Sequence, residues 1–427
     1  MTTTASAPAQ PPKTLLRSLR SRNYRLYFTG QAISLSGSWM TRIATSWLVY
    51  RLSHSVLLLG VVNFVSQVPL LFLGPFAGVF VDRWNRHQII VITQVLAMAQ
   101  SFALAYWALA GTITVGHVIA LNLLQGFIDA IDMPARQSFL IEIVHAKEDL
   151  GNAIALNSSL FNCARIIGPS VAGLIIATKG EGWCFLVDGI SYIAVLIALM
   201  AMRLPKHRVH QIHPPVLWQL RDGIRYALSA APIRIILTLI FSISLLGMPY
   251  AVLMPVVAKV QLRGGPHTFG FLMGAGGVGA LIGALYLASR RNAHGLERII
   301  TAAAMVFGIG LIGFSFSRVL WVSLGLMVVI GMALLVQMAS CNTVLQTIVE
   351  DDKRGRIMSL YTAIFMGISP FGSLLAGAFA SRLGAQATLA LGGLTCMGSA
   401  FLFARQRVTI RMAIETDSKE LFACQSV

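Results

Sequence analysis

Five ionisable side chains, Arg42, Asp129, Asp132, Arg165 and Asp188, lie inside runs of otherwise apolar residues. A carboxylate held away from water has two chemistries open to it: it binds and releases a proton, or it pairs with a base. Asp129 and Asp132 are one helical turn apart and so share a helix face. With Arg83, Arg86 or Arg165 in reach, they are candidates for a charged network that holds one conformation and breaks in another. Asp188 with Arg42 is the candidate for proton coupling, since burial favours the neutral acid and an approaching guanidinium favours the carboxylate. The plainer readings are structural pairing for the first group and helix capping for Asp188.

Other chemistries find little support. The histidines, His54, His87, His117, His145, His207, His210, His213, His267 and His294, all fall in or beside the breaks between apolar runs, away from any nucleophile. The triplet His207, His210, His213 has regular spacing, but the nearby Pro205 and Pro214 disfavour the helix that would present it to a metal. The five cysteines show no CxxC spacing and suit inert packing. Gly270, Gly274, Gly277, Gly279 and Gly283 are followed by no Lys-Ser/Thr pair, so they read as helix packing and not as a phosphate loop. No enzyme active site, metal site, nucleotide site or bound cofactor is expected.

The elements that must position these residues follow from composition. Of 427 residues, 56% are hydrophobic and 11% charged, against roughly 25% charged in a soluble domain. The formal charge of +17 is spread in short clusters between apolar runs, a pattern for lipid contact and not for nucleic acid. At about 20 residues per crossing, the first half holds spans at 27–50, 56–80, 88–111, 115–135, 153–177 and 183–203. The second half holds 233–258, 268–288, 296–316, 319–341, 356–381 and 386–405. The fold class is therefore an all-α membrane protein with twelve transmembrane helices in two six-helix, pseudo-symmetric bundles. The units are a disordered, basic N-terminus (1–26), a first bundle (27–203), a connector (204–232), a second bundle (233–405) and a tail (406–427). Within the connector, 216–228 has apolar residues at helical spacing and is expected along the membrane surface. Lys and Arg crowd the loops on the side of both termini, which places those termini in the cytoplasm. The first apolar run is expected to be retained and not cleaved as a signal peptide.

Two motifs bear on mechanism. Gly78-Val79-Phe80-Val81-Asp82-Arg83-Trp84-Asn85-Arg86-His87 follows the second span: Gly78 permits a tight crossing, Asp82 suits a helix N-terminus, and Arg83 and Arg86 can meet acids on another helix. This is a gating latch, with a plain positive-inside loop as the alternative. On the fifth span, Arg165 precedes Gly168-Pro169 and Ala172-Gly173, where proline kinks a helix and glycines admit a partner. Ser369-Pro370 and Ala376-Gly377 repeat the pattern loosely on the eleventh, so the halves look duplicated.

On these residues the chain resembles the major facilitator superfamily, whose signature loop is G-x-x-x-D-R-x-x-R-[RK]; His87 departs from it at the last position, and Ser289-Arg290-Arg291-Asn292 in the second half lacks the acid. The Gly168–Gly173 stretch resembles the antiporter motif of proton-driven exporters, with Ala172 in place of a glycine. Asp132-Met133-Pro134-Ala135-Arg136-Gln137, Phe185-Leu186-Val187-Asp188-Gly189 and Arg354-Gly355-Arg356-Ile357-Met358-Ser359 are similar to one drug:proton antiporter branch, which includes enterobactin exporters and macrolide-efflux-like proteins. The resemblance implies a monomeric, multi-pass protein of the bacterial inner membrane. It would use alternating access and proton influx to export a small amphipathic molecule, a siderophore or a drug. Uptake, a pH-insensitive facilitator and a transport-dead receptor are the alternatives.

Overall fold

A computed structural model of the protein describes residues 16–144, 147–203, 224–290 and 295–414. The expectations placed on the first 15 residues, on most of the connector with its histidine triplet, and on Arg291 and Asn292 lie outside the described residues, as do Gly78 and the side chain of Asp82.

The first half forms α1 (Arg22–Ser53), α2 (Val56–Arg83), α3 (Arg86–Leu109), α4 (Val115–Ile143), α5 (Lys147–Lys179) and α6 (Glu181–Met200). The second forms α7 (Ala231–Gln261), α8 (Pro266–Ala288), α9 (Leu296–Phe316) and α10 (Leu320–Ile348). A last helical stretch, Asp351–Gly367 followed by Ser369–Arg405, breaks at Gly384 (φ 83°, ψ 157°), which divides it into α11 (351–383) and α12 (385–405). That backbone geometry is open to glycine and strained for most other residues.

Ten segments among the described residues are long and apolar enough to cross a bilayer, and the one at 352–405 holds both α11 and α12. The 32-residue α1 is a further crossing, less apolar because it carries Arg22, Arg25, Arg42 and Arg51. The twelve described helices fall where the apolar runs place them, but several outrun them: α10 runs to Ile348 and not to 341, and α4 does so with the most consequence. The fourth helix does not stop near Pro134 but continues to Ile143 with the proline inside it. Apolarity marks where the bilayer ends, whereas a helix can run on into water. The extension turns Arg136 and Glu142 from loop residues into helix residues.

Short polar side chains cap the starts of α2 and α3. Ser55 Oγ accepts from the Leu58 N–H (3.3 Å), and Asn85 Oδ1 accepts from the N–H groups of His87 (3.0 Å) and Gln88 (3.3 Å). These satisfy amide donors that a helix N-terminus otherwise leaves open. Asn85 thus gives the loop after α2 its two-residue length.

Part of the segment expected as a loose N-terminal tail is held in place. Residues Arg17–Arg20 form a short turn against the start of α5, where Arg17 pairs with Asp149, and Ser18 Oγ donates to Asn152 Oδ1 (2.8 Å). Residues 224–229 of the connector are helical, and Lys353 lies 4.6 Å over the Tyr226 ring.

In the first bundle α1 packs on α5 and α6, α2 on α4, and α3 on α4 and α6. In the second, α8 packs on α10, and α9 on α10 and α12. The bundles meet along α5 with α8 and along α2 with α11. The fifth helix of each half thus lies on the second helix of the other, as a two-fold relation between the halves requires.

Candidate functional site

Asp188 lies about two turns inside α6, whose N-cap is Gly180, so its carboxyl does not cap the helix. It is 1% exposed. Its Oδ2 accepts from Thr41 Oγ1 on α1 (2.8 Å) and Ser101 Oγ on α3 (2.9 Å). Its Oδ1 is buried with no hydrogen-bond partner. Gly37 on α1 makes room for it: a Cβ there would stand 2.6 Å from Oδ1. Three helices therefore close on one carboxyl. Arg42, the expected partner, turns elsewhere, with its guanidinium 5.3 Å over the Trp39 ring.

The second acidic cluster is also rearranged relative to expectation. Asp132 pairs with Arg136, one turn along α4, in place of Arg83, Arg86 or Arg165. Its Oδ1 also accepts from Thr93 Oγ1 (2.6 Å) and Gln94 Nε2 (3.2 Å) on α3, while Arg136 donates to Gln31 Oε1 on α1. The group ties α1, α3 and α4 together. Asp129 accepts from Gln125 Nε2 (2.9 Å), one turn back on the same helix. Sequence reading passed over Arg136 because the span was ended before it; the Asp132/Arg136 spacing of four was the signal.

Of the latch residues, Arg86 pairs with Glu142 at the end of α4 (3.6 Å) and Arg83 is exposed. His87 Nε2 donates to the Leu199 carbonyl at the end of α6 (3.0 Å). The described part of the loop thus binds the terminus-side ends of α3, α4 and α6 together.

The kink residues form a contact between bundles. Pro169 sits inside a continuous α5. A Cβ on Gly168 would stand 2.5 Å from Trp39 Cβ on α1, which shows how near α1 lies. A Cβ on Gly173 would stand 2.8 Å from the Pro266 carbonyl, 2.9 Å from His267 Cα and 3.2 Å from Gly270 Cα on α8. On the related seam, a Cβ on Gly377 of α11 would stand 3.0 Å from the Val56 carbonyl and 3.2 Å from Gly60 Cα on α2. Both close approaches lie in the half of the membrane away from the chain termini. Backbone meets backbone at these glycines, and Phe64 packs edge to face on Phe371 across the α2–α11 seam (5.3 Å).

On the terminus side the surface is different. Ser158 and Ser159 on α5, and Thr343 and Gln346 near the terminus-side end of α10, are exposed. Ser159 donates to the Ala155 carbonyl (2.9 Å), Thr343 to the Ala339 carbonyl (3.0 Å) and Gln346 Nε2 to Asn342 Oδ1 (2.6 Å), each within its own helix. Deeper in, Trp39 and Phe161 pack edge to face at 5.7 Å, Arg42 lies over the Trp39 ring, and Arg165 follows Phe161 by one turn of α5. Arg165 Nη2 donates to Asn162 Oδ1 (3.1 Å), and its Nε is buried without a partner. At the opposite end, a cleft of about 670 Å³ lies between the bundles. Arg51 forms a bidentate pair with Glu181 there (2.7 and 3.2 Å).

Comparison with known proteins gives a consistent family. A family model described as transmembrane secretion effector matches residues 13–427. The chain is 28% identical over 408 residues to a staphyloferrin A transporter of Staphylococcus aureus, covering 91% of this chain and 98% of that one. It is 27% identical over 363 residues to the multidrug efflux pump Tap of Mycolicibacterium fortuitum, covering 83% and 88%. It is 22% identical over 379 residues to macrolide efflux protein A of Streptococcus pyogenes, covering 87% and 93%. Among solved structures, a nucleoside transporter aligns with TM-score 0.69 at 14% identity over 92% of this chain and 99% of that one. An inward-facing bacterial homologue of the lysosomal transporter Spinster aligns with TM-score 0.65 at 13% identity over 96% and 99%. At these identities the structures speak for the fold alone.

Proposed function

The chain belongs to the transmembrane secretion effector family of the major facilitator superfamily, and on that premise we propose that it is a proton-coupled exporter of a small amphipathic molecule. The family and the named relatives are transporters, two of them efflux proteins and one a transporter of staphyloferrin A. Export of a siderophore or a drug is the corresponding reading here.

The observation that carries the coupling is Asp188. A carboxyl closed in by α1, α3 and α6, with one oxygen accepting twice and the other unpartnered, is a place where a proton binds and is shielded from water. Moving α1 against α6 breaks the Thr41 contact and opens Oδ1, so proton exchange is tied to helix movement. The two glycine seams support alternating access: they hold the bundles in close backbone contact in the half away from the termini, where a rocking motion would have to part them. With the termini cytoplasmic, as the Lys and Arg bias favours, this is the loading state of an exporter in a bacterial cytoplasmic membrane. A single chain is the working unit.

The test is proton release or uptake by the detergent-purified protein, wild type beside Asp188→Asn, while siderophores and drugs are added. A cargo-evoked proton signal that disappears in the variant supports the reading. A signal unchanged in the variant moves the coupling site to Asp129 or Asp132.

A further inference from the structure

Among the described residues Arg165 has no counter-charge. It lies near the middle of α5, and none of the described carboxylates comes within ion-pair distance of it. The remaining acids are committed elsewhere: Asp132 to Arg136, Asp188 to its closed hydroxyl shell, and Asp129 to Gln125. The Arg165 backbone and the Tyr250 hydroxyl of the opposite bundle approach neighbouring residues of α8. A Cβ on Gly277 would stand 3.2 Å from the Arg165 carbonyl, and one on Gly276 would stand 4.0 Å from the Tyr250 hydroxyl. Phe161, one turn from Arg165 and 45% exposed, offers an aromatic surface beside the charge.

An uncompensated guanidinium at membrane depth is costly and disfavours an approaching cation. It gains most from a ligand that brings a negative charge, because a guanidinium binds oxyanions through charge-assisted hydrogen bonds. We propose that the cargo is an amphipathic anion, its anionic oxygen held between Arg165 and the Tyr250 hydroxyl and its apolar body resting on Phe161. This rests on the transporter reading and narrows it to a chemical class. The site spans both bundles, since Arg165 belongs to the first and Tyr250 to the second. An anion bound there bridges the halves until they move apart.

The experiment uses two dyes on one xanthene skeleton, anionic sulforhodamine B and cationic rhodamine 6G, titrated by fluorescence polarisation onto the full-length protein in detergent. Wild type is expected to bind sulforhodamine B saturably and more tightly than rhodamine 6G. Arg165→Gln is expected to weaken sulforhodamine B about tenfold or more and to leave rhodamine 6G unchanged or tighter. Arg165→Lys should recover part of the loss. If Arg165→Gln is not monodisperse, Tyr250→Phe is read instead, and it should weaken the anion alone. No saturable binding of sulforhodamine B to wild type overturns the proposal. So does equal weakening of both dyes, or a sulforhodamine B affinity that Arg165→Gln leaves unchanged. Rhodamine 6G carried across proteoliposomes while sulforhodamine B is not bound would leave the transporter reading standing and the anion class refuted. Arg165-dependent anion binding with no flux of either dye would do the reverse.

Discussion

Replacing Gly173 with alanine adds one carbon to the α5–α8 seam, and the structure says what that carbon meets: Pro266 carbonyl oxygen at 2.8 Å, His267 Cα at 2.9 Å and Gly270 Cα at 3.2 Å. Non-bonded carbon atoms rest about 3.5–4.0 Å apart, so the helices must separate by roughly half an ångström or more. All three neighbours are backbone atoms, and none can swing aside. Overpacking of this kind costs about 1–3 kcal/mol. If the seam is closed in one conformation and open in the other, the whole cost falls on the closed one. The ratio of conformations then shifts about 5- to 150-fold toward the open form. Spin labels at Thr178 on α5 and Val260 at the end of α7, with the exposed Cys163 replaced by serine, report the distance across the far side. Gly173→Ala should populate a longer distance. Gly325→Ala and Gly398→Ala serve as controls, because a Cβ at either meets nothing within 4 Å; they share the helix-propensity gain of alanine and should leave the distance alone. An unchanged distribution in Gly173→Ala, or the same change in the controls, would refute the claim that this seam parts during the cycle.

The two-fold relation makes Gly377→Ala a second instance, since its Cβ would crowd Val56 and Gly60; the same labels should report opening of similar size. Asp132→Asn leaves Arg136 buried beside a neutral partner and should lower stability by about 3–5 kcal/mol, read as a fall in detergent melting temperature. Asp132→Asn combined with Arg136→Gln should recover much of that loss. Arg51→Gln breaks a pair whose arginine is half exposed and whose two helices belong to one bundle. It should cost no more than about 1 kcal/mol and leave dye flux near wild type in proteoliposomes.

The number and order of the helices were legible because a bilayer imposes one length and one polarity on each crossing. The seams were legible in part: Gly168, Gly173 and Gly377 announce close packing, but not which helix arrives. Gly270 on α8 and Gly60 on α2 become their partners only through the fold. The loop after α2 carried its cap in plain view at Asn85. The partners of Asp188 were not legible. Thr41 and Ser101 are ordinary hydroxyl residues on two other helices, and nothing in their local sequence marks them. Arg42 was paired with Asp188 on depth alone; depth fixes how far along a helix a residue lies, not which way it faces. Arg136 was missed for another reason, since hydropathy ended α4 a full two turns before the helix itself ends. The loose turns of α7 at Ile243–Gly247 and Val257–Gln261, near Pro249 and Pro255, likewise have no signature in apolarity.

Proton-driven export is tested most directly by flux in inside-out proteoliposomes, loaded at acid pH and diluted into a neutral bath containing sulforhodamine B, whose charge and emission do not follow pH in this range. The account predicts accumulation in the acid lumen, collapse of the accumulated pool when nigericin dissipates the gradient, and loss of the gradient response in Asp188→Asn. Equal rates and plateaus with and without the gradient would contradict coupling, and faster accumulation under the reversed gradient would contradict export.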